Sequence, residues 1–72
     1  MTVQLTIFEK VTYECQATGD STYLFFCRAF RDMNKKEPPV QLIIGQVKGF
    51  VKTGVPPPYV YGYFARHERR RA

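Results

Sequence analysis

The sequence predicts an all-β fold, a small five-stranded barrel that ends in a short basic C-terminal tail. Three observations point there. Apolar and polar residues alternate with period two over several stretches. Glycine and proline punctuate the chain at short intervals, at Gly19, Pro38-Pro39, Gly45, Gly49, Gly54 and Pro56-Pro57-Pro58. The chain is 72 residues long, which is one domain whose folding hides only about 60% of the unfolded surface.

The first element covers residues 3–17. Val3, Leu5 and Ile7 face one way, with Gln4 and Thr6 opposite. The rhythm resumes with Val11, Tyr13, Cys15 and Ala17, set against Thr12, Glu14 and Gln16. β-Branched and aromatic residues in that period read as strand, and Phe8-Glu9-Lys10 shifts the phase by one, as a bulge does. Gly19-Asp20-Ser21 is turn chemistry. Thr22 to Phe30 then reads as the returning strand, and a hairpin centred on Ser21 places Cys15 opposite Cys27 and Tyr13 opposite Ala29. Arg31 to Pro39 is a polar loop closed by two prolines.

Val40 to Lys52 is strand-like, with Gly45 and Gly49 as bends in a strongly curved sheet. A turn at Thr53-Gly54 and an extended proline segment lead to the last strand, Tyr59 to Phe64, with Tyr59, Tyr61 and Tyr63 on one face. The barrel therefore takes residues 1–65 and the tail residues 66–72. Short strands with glycine bends in this length suggest OB-type or SH3-like closure.

The chemistry on offer is narrow. His67 is the only histidine and has no serine or cysteine near it in sequence, so no nucleophile–base arrangement is expected. The six acids are scattered, and no phosphate-cradling glycine loop is present. Two cysteines and one histidine cannot close a zinc site, so no metal and no cofactor is expected. Met1-Thr2-Val3-Gln4 has neither a basic n-region nor an apolar h-region, and the longest strictly apolar run, Tyr23 to Cys27, is far too short to span a bilayer. A cytoplasmic, non-enzymatic protein with free thiols is the expectation.

Charge carries the functional signal. The net charge is +5. Residues 1–34 hold Lys10, Arg28 and Arg31 against Glu9, Glu14, Asp20 and Asp32; every other basic residue lies beyond, against only Glu37 and Glu68. A small basic domain with a basic end suits a polyanion. The candidate RNA-binding residues are Arg28, Arg31, Lys35, Lys36, Lys48, Lys52, Arg66, Arg69, Arg70 and Arg71, because long cations on a platform neutralise phosphates and arginine forks do so bidentately. Lys48 and Lys52 share a strand face and straddle Phe50. The tyrosines at 59, 61 and 63 are either a base-stacking stripe or barrel filling, with filling favoured.

Val3-Gln4-Leu5, Glu9-Lys10-Val11, the turn Thr18-Gly19-Asp20-Ser21-Thr22, the segment Leu42-Ile43-Ile44-Gly45-Gln46-Val47-Lys48-Gly49-Phe50-Val51-Lys52-Thr53-Gly54 and the end Ala65-Arg66-His67-Glu68-Arg69-Arg70-Arg71 together resemble the eukaryotic and archaeal small-subunit ribosomal protein family numbered twenty-eight. The resemblance runs nearly end to end. The departures are Val55 where the family has Asp, the proline run after it, the longer connection before Val40 and the tyrosine-rich last strand.

The resemblance implies an OB-like barrel and a structural constituent of the small ribosomal subunit. Its partners would be ribosomal RNA, neighbouring ribosomal proteins and mRNA near the exit region, with no membrane. The alternative is a small viral or plasmid-borne barrel that binds single-stranded nucleic acid or inhibits a host protein.

Overall fold

The computed structural model describes residues 5–68, with the Glu68 side chain outside that description, and within them the chain is helical throughout. Its elements are α1 (Ile7–Thr18), α2 (Thr22–Asn34), α3 (Val40–Thr53) and α4 (Pro58–Glu68). Among the described residues there is no strand. The all-β fold, the OB-like barrel and the Cys15–Cys27 hairpin register are all overturned.

Local chemistry explains the helices. Thr6 caps α1: its hydroxyl accepts from the Glu9 amide at 3.2 Å while Glu9 Oε1 accepts from the Thr6 amide at 2.9 Å. This reciprocal box satisfies amides that a free helix end leaves unpaired. α1 ends at Gly19, whose left-handed φ of 79° sends its amide back to the Cys15 carbonyl. Ser21 restarts the chain by accepting from the Leu24 amide at 3.2 Å. Two residues read as a hairpin turn are thus a helix stop and a helix start. Gly54 repeats the stop after α3, with φ 75° and its amide on the Phe50 carbonyl. Pro39 precedes α3, and Pro58 occupies the first turn of α4, where a missing N–H costs nothing.

The apolar spacing is helical too. Ile7, Val11 and Cys15 lie four apart on α1, a spacing that satisfies period two and period 3.6 alike; Tyr13, which alternation would bury, is 53% exposed. α2 buries Phe25, Phe26, Ala29 and Phe30, and α4 buries Val60, Tyr63 and Phe64. α3 buries Ile43 and Phe50 and half-buries Val47. The glycines at 45 and 49 are not bends. They lie within α3, and nothing stands within 4 Å of where a Cβ would be.

α2 is the central element and packs against the other three helices. Phe25 stacks on Phe64 at 5.6 Å and meets Tyr63 edge-on at 5.4 Å. Phe26 meets Phe50 of α3 at 5.4 Å, and Phe30 meets Tyr59 edge-on at 5.4 Å. Phe50 in turn stacks on Phe8 of α1 at 5.0 Å. The tail expected to start at residue 66 is still helix there: Arg66 and His67 continue α4 and dock on Asp32 of α2, at 3.5 Å and 3.2 Å, while the His67 ring lies on Tyr63 at 4.3 Å.

Three outcomes follow from this packing. Phe25→Ala empties a fully buried site and is expected to cost about 3–5 kcal/mol, most of a small domain's stability, seen as a lost or strongly lowered helical melt by circular dichroism. Truncation after Ala65 removes both contacts to Asp32 and the ring on Tyr63; a drop on the order of 1 kcal/mol in urea titration is expected, where a mere appendage would give none. Burial pushes the Cys15 thiol up, against a Thr22 hydrogen bond and the Arg28 charge that pull it down. Less thiolate is then present at a given pH, so iodoacetamide should label Cys15 more slowly than a free cysteine at about pH 8, with the rate still climbing above the ordinary thiol range.

Candidate nucleic-acid interface

Pairing with acids divides the expected cations into two sets. Arg28 is ion-paired with Asp20 in the turn before α2. Arg31 lies 3.7 Å from Glu37 across the loop that follows. Arg66 donates to the Asp32 carbonyl at 3.3 Å and faces its carboxylate. Arg28 and Arg66 are tied to the frame, while Arg31 and Glu37 make a solvent-exposed pair. Arg69, Arg70 and Arg71 lie outside the described residues.

Lys35, Lys36, Lys48 and Lys52 have no acidic partner among the described residues, and all four are exposed. Lys35 ends α2 in a left-handed conformation, φ 60°, with its amide on the Arg31 carbonyl at 2.9 Å. That conformation puts Lys35 and Lys36 at the corner leading to α3. Lys48 and Lys52 are one turn apart on α3, about 6 Å along its axis. They occupy the face away from buried Ile43 and Phe50. The strand face expected of them, astride Phe50, does not exist: they lie one turn apart on a helix, with Phe50 on its other side. Gln41, Gly45 and Gly49 share that outer surface, and Leu42 and Val51, 43% and 65% exposed, flank it.

Sequence reasoning missed the groove beside this ridge. It runs between the last turns of α3 and the segment entering α4, with a cavity volume of about 450 Å³. Gly49, Phe50 and Thr53 form one side, Val55 and the prolines at 56, 57 and 58 the other, and Gln46 sits at its end. Tyr59 donates to Gln46 Oε1 at 2.6 Å. Burial, with a smaller contribution from Cys27, pushes the Tyr59 phenol well above its usual range, so it stays a donor. The signals were the Gly-x-x-x-Gly spacing at 45 and 49 and the proline run, both of which describe a groove wall only once α3 is a helix.

The tyrosine stripe does not form. Residues two apart on a helix point in different directions, and Tyr59 is half-buried, Tyr61 48% exposed and Tyr63 buried. No helix among the described residues is long and apolar enough to cross a membrane. Comparison with known proteins finds no match, whether among family models, curated proteins or solved structures.

Proposed function

We propose that this protein is a non-enzymatic RNA-binding domain that holds a single strand by its phosphates along the outer face of α3. The observation that carries the reading is the partition of charge among the described residues: Arg28, Arg31 and Arg66 stand within ion-pair distance of acids, whereas Lys35, Lys36, Lys48 and Lys52 have no acidic partner there. Two lysines at the corner before α3 and two on its outer face, unpaired among the described residues, would each neutralise a phosphate, and phosphate neutralisation releases counterions. The glycines at 45 and 49 keep side chains out of the way of an approaching backbone.

The ribosomal reading drew on a resemblance of motifs; no family model matches the chain, and the barrel that the resemblance implied is not its fold. RNA binding stands on the charge distribution alone. Incorporation into small ribosomal subunits is therefore an arm of the test and not a premise.

Fluorescence anisotropy with a labelled single-stranded RNA decides it. Each neutralised phosphate adds about 0.7 to the log–log salt slope for a single strand, so four lysines give a slope near −3. Lys48→Gln with Lys52→Gln is expected to weaken binding several-fold with at most a small drop in the melt, since both residues are exposed and only the favourable charge of Lys52 in the last turn of α3 is lost. Arg28→Ala and Arg31→Ala are expected to leave affinity within about twofold. A flat salt response, a stronger preference for duplex DNA, or loss through the arginines and not the lysines overturns the reading. Co-sedimentation with small subunits that depends on Lys48 and Lys52 identifies the RNA as ribosomal.

A further inference from the structure

α3 carries a second apolar stripe, turned away from the core. Val40, Ile44 and Val51 are spaced by four and by seven residues, which puts them on one side of the helix. Val40 is 56% exposed, Val51 more so, and Ile44 between them is half-buried. The core takes Ile43, Val47 and Phe50 instead. Phe8 continues the stripe from α1. It is 41% exposed, stacks on Phe50, and lies 3.9 Å from where a Cβ would stand on Gly54, one turn beyond Val51. Single exposed valines need no explanation, but a row along one helix that ends on an aromatic ring is a contact surface.

Lysines border that row. Lys48 is one turn from both Ile44 and Val51, and Lys52 is one turn further on. No acidic residue occurs between Glu37 and Glu68. Glu9, next to Phe8, is held in the Thr6 cap. Whatever covers this flank meets apolar side chains and, beside them, positive charge with no acidic partner among the described residues.

We propose that this flank of α3 docks on the surface of an anionic lipid bilayer, with Val40, Val51 and Phe8 in the headgroup boundary and Lys48 and Lys52 on the lipid anions. Docking goes beyond RNA binding and does not rest on it. Nucleic-acid phosphates satisfy the lysines and give the valines nothing. A second copy of this chain, itself +5, brings apolar area with like charge. A partner helix needs a groove to lie in, and the groove at Gln46, Gly49 and Thr53 is on the opposite flank of α3. Protruding side chains need no matching hole in a bilayer, which yields to them and presents anionic headgroups to the lysines. A helix docked in this way lies on the membrane, so it needs none of the length that a span requires.

The test is co-sedimentation with vesicles of phosphatidylcholine alone and of phosphatidylcholine with about a third phosphatidylserine. Wild type is expected to bind the anionic vesicles at least about tenfold more tightly than the neutral ones. Lys48→Gln with Lys52→Gln should cost about fivefold for each lysine. Val40→Gln with Val51→Gln changes two exposed positions to a better helix former, so the melt should be no lower. That pair should lose at least about fivefold on anionic vesicles and keep its affinity for single-stranded RNA within about twofold. The chain has no tryptophan, so Val51→Trp adds a single reporter. Its emission should shift to the blue on anionic vesicles and be quenched by brominated lipid.

Failure to bind either vesicle overturns the proposal and leaves the RNA reading untouched. Anionic binding that the valine pair does not weaken, with Val51→Trp emission unmoved, is adsorption by charge alone and overturns it as well. So does an equal loss of vesicle and RNA binding in the valine pair. A dimer in sedimentation equilibrium that the valine pair abolishes, with no vesicle binding, gives the stripe to a second copy and overturns it.

Discussion

The fold depends on two adjacent phenylalanines of α2. Phe25 and Phe26 are both fully buried, and their rings leave the helix in different directions. Phe25 takes Tyr63 and Phe64 from α4, and Phe26 takes Phe50 from α3 and Tyr59 from α4. One short segment of a central helix thereby organises the core of a chain too small for a second layer. Aromatic rings suit the task because each covers a large area with few rotamers to immobilise. Everything outward of this pair is placed by it: Phe50 fixes the roll of α3, and that roll decides which α3 residues face water.

Part of this was legible in the sequence. Length, a single domain, the aromatic core and the basic bias were on the surface of the composition. The class was not, because the apolar residues of the first segment lie four apart at 7, 11 and 15. That spacing is a multiple of two, so the pattern fits a strand and a helix equally until the residues between are placed. The punctuation held the deciding information. Thr6-Ile7-Phe8-Glu9 is a capping box, and Gly19 followed by Ser21 is a C-cap followed by an N-cap. The adjacent phenylalanines at 25 and 26, with Ala29, Phe30 and Met33 after them, follow a helical stripe that no alternating strand shows.

The candidate site was legible by residue type and not by environment. Arginine and lysine look alike in a charge count, but the fold treats them differently. Arg28, Arg31 and Arg66 act across turns and between helices, where their forks reach acids that the chain places nearby. The lysines at 35, 36, 48 and 52 occupy a corner and an outer face where no described acid reaches them. Among the described residues the positive charge without an acidic partner is thus confined to lysines. The groove escaped notice altogether, since its two walls are separated in sequence by Gly54 and join only when that glycine turns the chain back.

α3 gains little from its own sequence. It begins at Pro39 without a side-chain cap and carries two glycines in its interior, each roughly 1 kcal/mol worse than alanine. No neighbour demands those glycines, so packing within the domain does not account for them. Its hold on α2 runs through Ile43, Val47 and Phe50. The same helix bears the unpaired lysines and one wall of the groove. A ligand that binds only the formed helix stabilises it by mass action. On the RNA-binding proposal, local weakness and exposed charge on one element are two halves of one arrangement: a surface kept bare of side chains loses helical stability, and a polyanion bound along it would offset that loss.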